Sequence, residues 1–414
     1  MKLAYSLRTV NNAPSALSGG TATPSLLRFK LLLKLLGDPQ DALKPVSVIG
    51  ENGASQIAAM ISVAIGETHG KCGLVLFEPR ASVQDLIRVN GTPIPTDEFC
   101  AAVTRVHDCA RFIRKACEDP DTQTDAIKNI VMLLTQRKIS PEMTREELIL
   151  AVACTYFASV GCTRVAVTSS AGGKNDPAMA LPPSHVCVVA GLDREEESEL
   201  SLIRKGVKEV VSTPQTPKAY SMLSGKCAQE SVRCAMTARA QVTLESIGLG
   251  GISFRYNSQG PYKLSVPVTA SAYYAATAVV LAAVLNRNGT RVAPDALKKG
   301  IASLTDSVCG VSTVSLNPTV AVVSDANPYY AMNVIEARAD NTLIAVSDTV
   351  QSRLVDMLEF AGVRFVNFNN KKTLAGLVCA LTPSDKVIVI CREADFDLTG
   401  RNLKDVIERI GLRA

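Results

Sequence analysis

The chain has 414 residues, 47% hydrophobic and 20% charged, with no Trp and a formal net charge of +5. That length is more than one core usually serves and implies two or three domains, and a small charge with no basic clustering argues against nucleic acid as a partner. The longest apolar runs, such as 275–285, fall short of the roughly 20 residues of a membrane span, and residues 1–20 lack the basic-then-apolar order of a signal peptide.

In chain order, 26–36 has the pattern of an amphipathic helix, stopped by Gly37-Asp38-Pro39. A short β-branched strand at 46–49, a glycine turn and a helix from Ser55 to about Gly66 follow, then an apolar strand at 73–77. Helices are expected at 83–90, 96–118 and 144–159, the last with Thr144 as its cap and Glu146 and Glu147 in its first turn. Strands are expected at 164–168 and 186–189. This alternation predicts a parallel, doubly wound sheet.

Residues 207–266 read instead as short β-prone runs, with a turn at Ser258-Gln259-Gly260-Pro261, and form a small added β region. An Ala-rich helix at 270–285 leads to Arg287-Asn288-Gly289. Beyond it, strand and helix alternate again to the C-terminus, as in a smaller Rossmann-like α/β domain. The expected division is therefore 1–285 and 286–414.

The twelve Cys occur singly with no CxxC, and there are only three His. That spacing predicts no zinc or other metal site and suits reduced thiols in the cytoplasm.

Residues 45–56 read Pro-Val-Ser-Val-Ile-Gly-Glu-Asn-Gly-Ala-Ser-Gln. A strand, a glycine turn and a helix N-terminus make a cradle of backbone N–H groups for an anion. A working nucleotide loop adds a Lys for the phosphates and a hydroxyl for Mg²⁺. Here those slots hold Ala54 and either Ser55 or Gln56. Gly50, Asn52, Gly53, Ala54, Ser55 and Gln56 are thus a candidate nucleotide-loop remnant. The plainer reading is a strand–turn–helix connection that the fold itself needs.

The order of these pieces resembles folylpolyglutamate synthase, within the Mur ligase superfamily. Leu36-Gly37-Asp38-Pro39 and the loop at 48–53 are similar to that family's opening, and Arg88-Val89-Asn90-Gly91-Thr92-Pro93-Ile94 to a later segment. Thr155-Tyr156-Phe157-Ala158, Gly172-Gly173-Lys174-Asn175-Asp176 and Gly191-Leu192-Asp193 follow in the family's order. The resemblance implies an α/β, Mur-ligase-like fold: a phosphate-loop-type doubly wound sheet, the added β region and a C-terminal Rossmann-like domain. It also implies a chemistry in which ATP phosphorylates a carboxylate and an amino acid, usually glutamate, attacks the acyl phosphate.

Several of the groups this chemistry uses are replaced. The resemblance puts Ala54 at the phosphate-loop Lys, Gln56 at the Mg²⁺-binding Ser, Thr168 at a metal-binding Glu and Arg194 at a His. Tyr274 falls near a nucleotide-binding Asn, Ala270 and Ser271 at a His–Gln pair, and Val311 near a linker Arg. Lys205 (where the family often has a carbamylated Lys), Asp325 and Asp176 survive, and Arg80 and Arg194 are candidate anion or substrate contacts. The expectation is a pseudoenzyme with a binding or regulatory role, using neither ATP nor Mg²⁺ as cofactor. Its partner would be an active ligase or other protein, with a small molecule in an interdomain cleft. The alternative is an active ATP-dependent amide ligase in which Lys205 and Asp325 carry the chemistry.

Overall fold

The computed structural model describes residues 22–50, 52–77, 83–119, 125–169, 173–192, 195–248, 250–304, 311–316, 318–325, 328–336, 341–382, 384–392 and 395–409. The chain packs as two units: Met1–Thr237 with Val280–Leu297, and Ala238–Val279 with Lys298–Ala414.

In the first unit, α1 (Leu26–Leu35) is capped by the Ser25 hydroxyl, which accepts the Arg28 N–H, and buries Phe29, Leu31, Leu32 and Leu33. Then come β1 (Lys44–Ile49), α2 (Ala54–His69) and β2 (Gly73–Val75). The helix expected at 83–90 is not formed. One 3₁₀ turn, Val83–Leu86, leads into β3 (Ile87–Val89), which pairs antiparallel with β2, and β4 (Thr92–Pro93) pairs in turn with β3. Ladder pairing at the sheet edge overrides a weak local helical preference there.

Three helices follow: α3 (Thr96–Glu118), α4 (Asp125–Gln136) and α5 (Arg145–Ser159). Thr144 and Glu147 make a reciprocal capping box on α5, as its sequence predicts. Next are β5 (Arg164–Thr168), β6 (Val186–Val189), β7 (Glu209–Ser212), α6 (Pro217–Gln229) and β8 (Arg233–Met236).

These eight strands form one sheet in the order β4-β3-β2-β5-β1-β6-β7-β8, parallel from β2 to β8. All of β1 except Lys44 is buried, as the middle of a parallel sheet with both faces covered must be. The chain leaves β1 toward β2 on one side and later lays β6, β7 and β8 on the other. The crevice beside β1 is therefore a topological switch point, where α/β sheets bind ligands.

Glu209–Ser212, expected within the small β region, belongs to this large sheet. So does β8, and α6 within the same region is a helix; only its later part forms a separate antiparallel sheet of β9 (Val242–Gly248), β10 (Gly251–Tyr256) and β11 (Gln259–Leu264), which packs in the second unit.

Helix α7 (Thr269–Arg287) contains the division expected at 285/286. By length and composition it passes the test for a membrane span that its sequence suggested it would fail, yet 61% of that window is buried in the protein, as in a core helix. Then come α8 (Pro294–Ala302), β12 (Val311–Leu316), β13 (Thr319–Ser324), α9 (Pro328–Glu336) and β14 (Thr342–Ser347). The chain ends with α10 (Ser352–Phe360), β15 (Val366–Phe368), α11 (Lys371–Cys379), β16 (Lys386–Cys391) and α12 (Phe396–Arg409). Strands β12 to β16 form a sheet ordered β12-β13-β16-β14-β15, parallel except for β12, around a core that includes Val320, Val322, Val389 and Ile407. This is the expected C-terminal α/β layer.

Candidate functional site

The turn between β1 and α2 stands at the C-terminal edge of the large sheet. Gly50 has φ +106° and Gly53 φ +86°, both in the left-handed region that favours glycine. Gly53 is the N-cap of α2 and has no side chain with which to cap it, and the first helical bond runs from Ile57 N to Gly53 O at 3.0 Å. The N–H groups of Ala54, Ser55 and Gln56 therefore precede the first i→i−4 bond, the usual geometry of an anion cradle.

The turn is pressed against the loop after β6. Ala190 N donates to Ile49 O (2.8 Å) and Gly191 N to Asn52 O (3.1 Å). A Cβ on Gly50 would lie 2.8 Å from Gly191 O, so this approach requires glycine.

The described side chains carried on this frame, Asn52, Ala54, Ser55 and Gln56, are small or neutral. Ala54 is 1% exposed. The Ser55 hydroxyl and both polar atoms of the Gln56 amide are buried without a hydrogen-bond partner. Ala54 and Gln56 are the positions that the resemblance aligns with a phosphate loop's Lys and metal-binding Ser. Thr168, at the end of β5, donates its hydroxyl to Val75 O at 3.3 Å. Among the described residues, no three His, Cys, Asp or Glu side chains gather as a metal site. Among the described residues of the turn and the first three positions of α2, no side chain carries a charge to hold Mg²⁺ or a phosphate.

The other expected site residues are dispersed. Asp176 is buried; it accepts the Ser169 hydroxyl (2.6 Å) and the Ala178 N–H (2.8 Å) and so caps the 3₁₀ turn Pro177–Ala180. Lys205 is exposed in the turn before β7, at the edge of the sheet where strands begin, opposite the edge that carries Gly50. Its neighbour Arg204 donates to Met179 O and Leu181 O, and burial lowers the pKa of that guanidinium. Asp325 is buried in the second unit after β13, where its carboxylate accepts the Gln351 N–H at 3.0 Å. Arg80 and Arg194 lie outside the described residues, as do Glu51 and Asp193.

Sequence reading missed Gln215. Its amide nitrogen donates to Ala190 O (2.8 Å) and to the Thr213 hydroxyl (3.1 Å), and its Oε1 accepts the Leu192 N–H (3.4 Å). It ties the loop after β7 to the loop that braces Gly50. No motif spacing marks such a residue, because the contact runs between neighbouring parallel strands.

Taken together, a glycine turn at the switch point of a doubly wound sheet and a second, mostly parallel sheet define the Mur-type ligase fold. Within it, the chain has the architecture of the folylpolyglutamate synthases. It superposes on the apo Lactobacillus casei enzyme with a TM-score of 0.74 at 17% identity, over 96% of this chain and 99% of that one. The Mycobacterium tuberculosis folylpolyglutamate synthase complexed with ADP gives 0.71 at 17% identity, over 99% of each chain.

In sequence, the chain is similar to a dihydrofolate synthase/folylpolyglutamate synthase of M. tuberculosis, 25% identical over 249 residues, 55% of this chain and 47% of the relative. A Saccharomyces cerevisiae dihydrofolate synthetase is 23% identical over 177 residues, 42% of this chain and 35% of the relative. The chain thus matches half or less of the length of these curated relatives. No family model matches it.

Proposed function

We propose that this protein keeps the folylpolyglutamate synthase scaffold but not its phosphoryl-transfer chemistry, and acts in the cytoplasm as a binding or regulatory protein. The reading rests on the loop order, in which the resemblance aligns Ala54 and Gln56 with the slots of the cation and the metal-binding hydroxyl, and on one observation that supports it: both residues are buried at the start of α2. Phosphoryl transfer depends almost entirely on positioning and on electrostatic stabilisation of the transferring group. Backbone N–H groups alone supply direction and partial charge, not the full charges that such a group needs.

A second reading is an active ATP-dependent amide ligase adding glutamate or another amino acid to a folate-like or other carboxylate. It is favoured by the uncapped N-terminus of α2 and by the unpartnered Ser55 hydroxyl, which keep an anion cradle open. It also draws on the likeness to a folylpolyglutamate synthase structure holding AMPPCP.

Calorimetry separates the two. The pure full-length protein is titrated with ATP and Mg²⁺, and the same sample is assayed for ligation of glutamate to folate. The first reading expects no Mg²⁺-dependent heat and no ligated product. Mg²⁺-dependent binding with turnover would overturn it in favour of the second.

A further inference from the structure

A cavity of about 370 Å³ opens at the edge of the large sheet opposite the glycine turn. It lies at the beginnings of β1, β5 and β6, beneath the end of α7. Pro182, Pro183 and Leu285 give it apolar walls, while Lys44, Arg164 and His185 line it with basic side chains. Its volume is within the range of small-molecule sites, which combine apolar walls with a few convergent polar groups.

The charge balance is one-sided. No Asp or Glu is among the described lining residues. Among the described residues no carboxylate pairs with Lys44, Arg164 or His185. Glu209 receives hydrogen bonds from Arg287 (2.9 Å) and from Asn288 (3.1 Å), itself a lining residue, and so is already neutralised.

Nor are the cations needed to finish α7. Its last carbonyls accept from Asn288 N, Gly289 N and Thr290 N. Two permanent cations in a half-enclosed apolar recess, unpaired and not required by the fold, match a ligand with a negative charge on an apolar body.

We propose that this cavity binds a small amphipathic anion: an aromatic or aliphatic body carrying one carboxylate, phosphate or sulfonate held by Lys44 and Arg164. The site is separate from the glycine turn. Lys44 and Ile49 are the two ends of β1, which places the two levels about 17 Å apart along the strand at the usual strand rise. A small molecule at one level does not reach the other, so the proposal stands whichever reading of the turn holds.

Titration of the full-length protein with anilinonaphthalene sulfonate, an anionic fluorescent probe, tests it, with neutral phenyl-naphthylamine as the control. One probe should bind per chain. Lys44→Gln with Arg164→Gln should weaken the sulfonate by at least about tenfold, the order expected for losing charge-assisted hydrogen bonds, and leave the neutral probe unchanged. Lys44→Gln alone, at an exposed position, guards against loss of fold and should give a smaller weakening of the sulfonate only. Thr290→Phe, which narrows the cavity, should weaken both probes. Octanoate should displace the sulfonate where inorganic phosphate does not. Unchanged sulfonate affinity in the double variant would overturn the proposal. Equal displacement by inorganic phosphate would also overturn it, since it would mark a bare anion site with no use for the apolar walls.

Discussion

Arg28 on α1 and Glu147 on α5 form an ion pair from which solvent is fully excluded, with Nη2 2.6 Å from Oε2 and both side chains 0% exposed. The guanidinium also donates to Ser140 O (2.8 Å) and Thr23 O (3.1 Å), and the carboxylate accepts the N–H groups of Ser25 (2.9 Å) and Thr144 (2.8 Å). Neither charge could stay inside without this set of partners. One pair thereby ties the N-termini of two helices, α1 and α5, to each other and to the segments that lead into them. Removing one partner leaves the other charge buried. Glu147→Ala is therefore expected to destabilise the first unit by about 3–5 kcal/mol, measured by denaturant unfolding. Arg28→Met combined with Glu147→Leu should recover part of that loss. A double variant as unstable as the sum of the single ones would show that the two residues act independently.

A second ion pair responds to pH. Glu209, at the start of β7, accepts hydrogen bonds from Arg287 and Asn288, and the Arg287 bond chiefly holds its carboxyl below the ordinary glutamate range. A depressed folded pKa contributes stability that is fully present above the unfolded value, about 4.3, and is lost as pH falls through the lower folded value. Wild-type melting temperature is expected to fall faster on acidification from about pH 5 than that of Glu209→Gln, because the variant has no proton to take up there. A constant gap between the two proteins across that interval would remove Glu209 from the acid response.

Gly50 tests how tightly the turn is locked. Its φ of +106° strains any residue with a Cβ, and the added carbon would meet backbone, Gly191 O at 2.8 Å, which cannot swing aside as a side chain would. Gly50→Ala should cost about 1–3 kcal/mol by chemical denaturation. Gly289→Ala has a positive φ but open space around its Cβ, so it should cost less. Equal costs would mean that conformation alone, and not contact with the Ala190–Gly191 loop, sets the penalty at Gly50.

These same residues show what could be read in advance. Gly50 and Gly53 were visible as a turn because they punctuate a β-branched run and an apolar helix, and the buried strands at 164–168 and 186–189 were visible by length and hydrophobicity. Thr144 and Glu147 were legible as a local cap, but the role of Glu147 as counter-ion to Arg28, 119 residues away, was not. The segment 83–90 misled because its strand is fixed by its neighbour β2 and not by its own pattern. Gln215 was silent for a related reason: its partners lie on a neighbouring loop. Residues that act within one turn of chain announce themselves, and those that act between strands do not.

The proposed reading of the start of α2 can be tested by adding the groups that a phosphate loop uses. Ala54→Lys, Ser55→Gly and Gln56→Ser together would return an ammonium, a glycine and a hydroxyl to the start of α2, on a cradle whose glycine conformations and helix N-terminus are already in place. The parent's partnerless Gln56 amide and Ser55 hydroxyl would go at the same time, which offsets part of the cost of a Lys at the buried Ala54 position and a Gly inside α2, so the variant is expected to melt below its parent. Mg²⁺-dependent ATP binding, measured by calorimetry, is expected to tighten by at least about tenfold over the parent. Ligation is not expected to return, because Thr168 still offers no carboxylate at the end of β5 and its hydroxyl is already committed to Val75 O. A triple variant that binds ATP no better than its parent would place the defect in the backbone, in the packing of the turn against Gly191, and not in the three side chains. Binding with turnover would show that the three side chains at the start of α2 suffice, with the remainder of the site as it stands.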